Sequence, residues 1–215
     1  MSETALLGEP ADNAPTASRD IPDRFDSAPA LGLIGLQPPG RAIALALLHA
    51  GLRPLACDPD PALCRAYAEA AGPDAGVTDS PHEVATRCGL ILLTLAIGAD
   101  VTTIHAALQH RMAPGGLIVD MGPALPGPLR RLAAELAAAN LHLIDAPLLP
   151  TTPPIVLAGG EPAHLDRITP ILAHLGAIIP TGPIGSAQAL AALIAELEPP
   201  PGEAQIRALA AHAQA

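Results

Sequence analysis

Apolar positions fall in short unbroken runs that alternate with stretches of helical spacing along most of the chain. Residues 31–35 form an apolar run of strand length. Residues 42–51 follow with Ile43, Leu45, Leu47 and Leu48 before a glycine stop. Residues 52–58 read as a second strand, and Pro61 suits the first turn of a helix carrying Leu63, Tyr67 and Ala70. Ser80-Pro81-His82-Glu83 has the form of a capping box with proline at the first helical position. Residues 90–95 are continuously apolar, as in strands buried on both faces of a parallel sheet. The pattern then predicts helix over 100–110, strand over 117–121, helix over 126–139 and strand over 141–145. Strands alternating with helices predict an α/β fold, a Rossmann-type doubly wound, mostly parallel sheet with helices on both faces.

The second half is less regular. A proline-rich loop over 148–154 precedes a short strand over 155–158, a helix over 165–175 and a strand over 177–180. Gly182-Pro183 opens the last strong helix. On it Leu190, Leu193, Ile194 and Leu197 lie at i, i+3, i+4 and i+7, a single apolar stripe. Such a stripe most often packs a core; it is also a candidate surface for a homo-oligomer or a protein partner. Residues 1–30 mix Pro, Asp, Ser, Ala and Thr without periodicity and are expected to be a disordered tail. The predicted organisation is therefore that tail, a Rossmann-type domain over 31–198, and a Pro/Ala-rich tail over 199–215 in which one short helix or none is expected.

Composition narrows the function classes. With 215 residues, half of them hydrophobic, the chain can bury one sizeable core. A net charge of −10 argues against nucleic acid, and Phe25 and Tyr67 are its only Phe, Tyr or Trp rings, too few for base stacking. No run reaches membrane-span length and no secretion signal is visible. Cys57, Cys64 and Cys88 lack metal spacing and read as reduced thiols of a cytoplasmic protein. The eight histidines form no ligand pair, so no metal is expected, and His105 and His110 read as exposed helix positions. All eleven basic residues are arginine; the chain contains no lysine.

The candidate chemistry gathers at the first strand-to-helix corner. A Rossmann corner reads Gly-x-Gly-x-x-Gly and carries a dinucleotide pyrophosphate on the helix N-terminus. Here it reads Gly35-Leu36-Gln37-Pro38-Pro39-Gly40. Gln37 stands where the backbone would approach the ligand, and two prolines remove N–H donors. Asp58, 23 positions after Gly35, suits the ribose 2′-OH of NAD or, alternatively, a cap for the next helix. Gly35, Leu36, Gln37, Gly40, Asp58, Thr94 and Leu95 are thus the candidate cofactor residues. Asp120 and Asp145 read as strand-end carboxylates that tie down loops, and Ser186 as a helix-start residue.

Four stretches, Gly32-Leu33-Ile34-Gly35-Leu36, Pro114-Gly115-Gly116-Leu117-Ile118-Val119-Asp120, Leu143-Ile144-Asp145-Ala146-Pro147 and Gly182-Pro183-Ile184-Gly185-Ser186, occur in the order of the β-hydroxyacid dehydrogenases. The chain resembles the NAD(P)-binding domain of that group, which includes 3-hydroxyisobutyrate and 6-phosphogluconate dehydrogenases. The resemblance implies NAD or NADP as cofactor, and a carboxylate at Asp58 favours NAD. It also implies a catalytic lysine and, four residues later, an asparagine, where this chain has Ala191 and Ala195. The family's Ser-Gly-Gly substrate loop is here Leu149-Pro150-Thr151, its Ser-Thr after Val-Asp is Gly122-Pro123, and its all-helical C-terminal domain is expected to be lacking. The expectation is a catalytically inactive relative with weakened dinucleotide binding and a binding or partner role. The alternative is an active NAD-dependent oxidoreductase of a small hydroxy acid, with non-standard or partner-supplied catalytic residues.

Overall fold

The computed structural model describes residues 31–95 and 101–214. The expected N-terminal tail and Asp100, where the fourth helix was expected to begin, lie outside the described residues. The first half alternates strand and helix: β1 (Leu31–Ile34), α1 (Gly40–His49), β2 (Leu55–Cys57), α2 (Pro61–Ala71), β3 (Gly76–Thr78), α3 (Pro81–Arg87), β4 (Leu90–Leu93) and α4 (Val101–Arg111). It continues with β5 (Leu117–Asp120), α5 (Pro126–Ala138), β6 (His142–Asp145), β7 (Leu148–Leu149), β8 (Ile155–Gly159), α6 (Pro162–Leu172), β9 (Ala177–Gly182), α7 (Ser186–Ala195) and α8 (Glu203–Ala213).

The strands form one sheet in the order β3-β2-β1-β4-β5-β6-β8-β7, with β9 paired to β8. From β3 to β6 every pairing is parallel. β8 then runs antiparallel to β6 and to β7, and parallel to β9. Strand order reverses between β1 and β4, and this switch point is where open α/β sheets hold ligands, outside the carboxyl ends of the strands. Side-chain alternation explains the two covered faces. Leu90 and Leu92 of β4 enter one core cluster with Leu47, Tyr67 and Ile168, whereas Ile91 and Leu93 enter the other with Val84, Leu108 and Leu136.

Several boundaries shift for identifiable reasons. The edge strand β3 has three residues, none fully buried, too little apolar signal to stand out. The capping box is half formed: Ser80 Oγ accepts from the Glu83 N–H, but the Glu83 carboxylate takes the Thr78 hydroxyl and Arg87 instead of reaching back. The loop expected over 148–154 begins as β7. The stretch expected as a Pro/Ala-rich tail contains the eleven-residue helix α8, whose Ile206 and Ala210 are buried against β8, β9 and α7. Packing of α7 on β8, β9 and α8 divides the apolar stripe that begins on α7 and ends just past it. Leu190 and Ile194 are buried in this third cluster, while Leu193 is 50% and Leu197 37% exposed.

Candidate functional site

The corner after β1 is built by close approach. Gly35 has φ +109°, a region that favours glycine, and a Cβ there would sit 2.6 Å from the Thr94 carbonyl oxygen. A Cβ on Gly40 would collide with the Gly35 carbonyl oxygen and the Thr94 hydroxyl. Thr94 Oγ1 donates to Gly35 O at 2.6 Å, tying the end of β4 to the corner. The Leu36 N–H donates to Asp58 Oδ2 at 2.7 Å, and Asp60 N–H to Asp58 Oδ1 at 2.9 Å. The structure thus brings Gly35, Leu36, Gln37, Gly40, Asp58, Thr94 and Leu95 to one end of the sheet. Asp58 does not cap α2: Asp60 does, accepting from the Ala62 N–H. Its own carboxylate orders the corner.

α1 starts directly behind the prolines, with Pro39 at its N-cap. The Gly40 N–H is used on Gln37 O at 2.6 Å, and Ile43 N–H on Pro39 O. The N–H groups of Arg41 and Ala42 have no acceptor among the described residues. The glycine frame of the corner is therefore present, with the Asp58 carboxylate held against it by the Leu36 and Asp60 N–H groups. The donor set facing a pyrophosphate is reduced, because Pro38 and Pro39 carry no N–H.

A cleft of about 710 Å³ opens from this corner. Its walls are Pro38, Pro39, Thr94 and Leu95, then Met121, Gly122, Pro123 and Ala124, then Pro147, Leu148 and Leu149, and finally Gln188, Ala191 and Ala192. No ionisable side chain is among these residues. Of its two side chains with polar N or O atoms, Thr94 is bonded to Gly35 O as above. Gln188 donates from Nε2 to Gly122 O at 2.6 Å and accepts at Oε1 from the Ala124 N–H at 3.3 Å.

Two of the sequence landmarks meet beneath this cleft. Asp145 is fully buried and accepts from the Gly185 N–H at 2.8 Å and the Gln188 N–H at 2.9 Å, so the end of β6 caps α7 from forty residues away. Ser186 does not serve as the expected helix-start cap. Its hydroxyl pairs with Thr181 Oγ1 at 2.8 Å, and the N-cap residue is Gly185 in the left-handed conformation. Gln188, which links α7 to the Gly122 loop, carried no sequence signal beyond lying two residues after Ser186.

Asp120 accepts from the Gly122 N–H at 3.0 Å and faces a second cavity of about 450 Å³ with His105, Arg131 and Glu135. His105 is half-buried rather than exposed; burial pulls its pKa down, with Glu135 opposing. His110 is exposed. Burial, opposed by the Gly122 N–H and reinforced by the Asp145 charge, pushes Asp120 up to about 7. A carboxyl raised on folding binds more protons in the native state between its unfolded value and about 7. Its contribution to stability therefore falls as pH rises across that window. Asp120→Asn keeps an acceptor for Gly122, and is expected to be more stabilising at pH 8 than at pH 5.5. Urea midpoints of the two proteins at both pH values check this; parallel shifts would contradict it.

The three cysteines are free and buried, and burial pushes Cys57 up to about 12 and Cys88 to about 11. These thiols pack as small apolar residues. Among the described residues no group of three or more His, Cys, Asp or Glu could hold a metal ion, and no helix is long and apolar enough to cross a membrane.

Comparison with known proteins places this geometry. Residues 30–185 match the family model of the NAD binding domain of 6-phosphogluconate dehydrogenase. Over 124 residues the chain is 34% identical to L-threonate dehydrogenase of Cupriavidus necator, a stretch covering 55% of this chain and 40% of that protein. It is 25% identical over 123 residues to a 3-hydroxyisobutyrate dehydrogenase-like protein of Arabidopsis thaliana, covering 53% and 39%. The chain spans about two fifths of the length of these curated relatives. Among solved structures, 3-hydroxyisobutyrate dehydrogenase of Mycobacterium tuberculosis aligns with a TM-score of 0.69 at 22% identity, over 77% of this chain and 59% of that one. An imine reductase of Myxococcus stipitatus solved with NAD+ aligns with a TM-score of 0.70 at 20% identity, over 79% and 61%. At such identities the likeness is one of fold. The match over 30–185 shows more: the chain belongs to the family of the 6-phosphogluconate dehydrogenase NAD-binding domain, as a Rossmann domain of the β-hydroxyacid dehydrogenase type.

Proposed function

We propose that this chain is a binding protein that keeps the family's sheet, holds a dinucleotide weakly and carries out no hydride transfer. The observation that carries this reading is the cleft lining. Ala191 stands where the resemblance places the lysine acid/base, and the described residues that line the cleft include no ionisable side chain. Oxidising a hydroxyl needs a positioned base, and such groups contribute on the order of 10²–10⁴ in rate. The purified protein is therefore expected to give no NAD- or NADP-dependent turnover of short 3-hydroxy acids or 6-phosphogluconate above a no-protein blank. Turnover that co-purifies with the chain would contradict this. The free, buried thiols fit a cytoplasmic setting.

A second reading is an NAD-linked oxidoreductase completed by a partner. It is favoured by one observation: Leu193 on α7 and Leu197 just past its end lie exposed, and the same helix lines the cleft with Ala191 and Ala192. Leu193→Glu is expected to leave stability within about 0.5 kcal/mol, as a surface change does. The same change should lower hydrodynamic mass or partner capture. Unchanged mass and unchanged capture would remove the partner surface.

A further inference from the structure

We infer that the cleft bounded by Pro39, Thr94, Leu148 and Ala191 binds an uncharged, largely apolar small molecule. The inference rests on the reading of this cleft as non-catalytic and names the class of ligand it takes. Its volume, about 710 Å³, lies within the usual range of small-molecule sites. What sets it apart from a hydroxy-acid site is that its described lining residues include no ionisable side chain and only two side chains with polar N or O atoms. The Thr94 hydroxyl donates to Gly35 O, and the Gln188 amide accepts from the Ala124 N–H and donates one of its two N–H groups to Gly122 O, which leaves one neutral amide N–H over. A carboxylate moved from water into these walls would meet no cation among the described lining residues and a single neutral side-chain N–H, and a buried charge without a charged partner is disfavoured. An uncharged ring or alkyl group loses nothing by the same transfer and gains from leaving water.

The walls are also held apart, which favours a preformed site over a void that closes. Gln188 fastens the Gly122 loop to α7, and Asp145 fastens α7 to the end of β6. On the opposite side Pro38 and Pro39 present ring carbons where other corners present N–H groups. β7 contributes Leu148 and Leu149. Every side of the cleft therefore offers carbon.

The test is a fluorescence titration of the whole chain with N-phenyl-1-naphthylamine at near-physiological salt, followed by competition with 1-naphthol and 1-naphthoate. These two competitors share a ring system and differ in charge. The expected result is saturable binding of one probe per chain, displaced by 1-naphthol at least about tenfold more readily than by 1-naphthoate. Ala191→Phe, which fills the cleft, should weaken the probe at least about tenfold, while Leu193→Glu leaves it unchanged. Ala192→Trp, at an exposed position on the same wall, serves should Ala191→Phe not fold. Non-saturable binding, equal competition by the two naphthalenes, or loss of binding in Leu193→Glu with retention in both cleft variants would overturn the inference. Tight NADH binding would instead overturn the functional reading, which a cofactor-free probe titration does not touch.

Discussion

Changing Gln37→Gly, Pro38→Asn and Pro39→Met together is expected to tighten NADH binding by roughly 10²–10⁴-fold. The frame that such a site needs is already folded. Gly35 takes its left-handed turn, Gly40 packs against Gly35 O and Thr94, and Asp58 orders the corner through the Leu36 N–H. What is reduced is the set of donors: Pro38 and Pro39 have none, and the Gly40 N–H is spent on Gln37 O. A hydrogen bond to a charged group is worth about 1.5–3 kcal/mol, so two of them account for about 3–6 kcal/mol. Removing the Gln37 side chain adds room for the backbone to approach the ligand. If the prolines do no more than start α1 while Arg41 and Ala42 supply the donors, the triple variant will bind NADH no better than the unaltered chain. Calorimetric isotherms of the two proteins separate these cases.

Asp145→Ala is expected to lower stability by on the order of 3–5 kcal/mol, the cost of breaking a buried, hydrogen-bonded charged site. The side chain is inaccessible to solvent and serves two N–H groups at the start of α7. Removing it leaves both donors buried without an acceptor and also removes the helix cap. The effect should spread beyond α7, because Gln188 ties that helix to the Gly122 loop. Burial pushes the Asp145 pKa up against these hydrogen bonds, so Asp145→Asn, which retains one acceptor, should cost less than Asp145→Ala. Urea denaturation of the three proteins at neutral pH tests the order; an Ala variant as stable as the parent would contradict the capping role.

The sheet was legible because its central strands are buried on both faces. Residues such as 90–93 read as continuous apolar runs, and from β1 to β5 each strand is followed by a helical stretch. The corner was legible for a related reason: glycine at Gly35 and Gly40 answers to backbone contacts that a side chain cannot share. Elements held by long-range partners were harder to see. β3 is a short edge strand, β7 is two residues inside a proline-rich loop, and α8 follows four residues of proline and glycine. The roles of Asp58, Asp145 and Ser186 had the same difficulty. Local spacing offered Asp58 as a cap for the next helix besides a ribose carboxylate, and Ser186 as a helix-start residue, whereas Asp58 reaches back to Leu36 and Ser186 pairs with Thr181. Asp145 caps a helix that begins in another motif altogether. The apolar stripe near α7 was visible as a stripe, but which of its residues are covered depends on how the helix lies on β8, β9 and α8.

Calorimetric titration of the unaltered chain with NADH and with NADPH addresses the central claim, that the family's sheet is kept while its cofactor grip is weakened. A loss of about 3–6 kcal/mol moves a micromolar site toward the millimolar range. The account predicts millimolar NADH binding, and NADPH binding no tighter, because the Asp58 carboxylate would repel a 2′-phosphate. A micromolar isotherm with either nucleotide would contradict it and favour an active oxidoreductase.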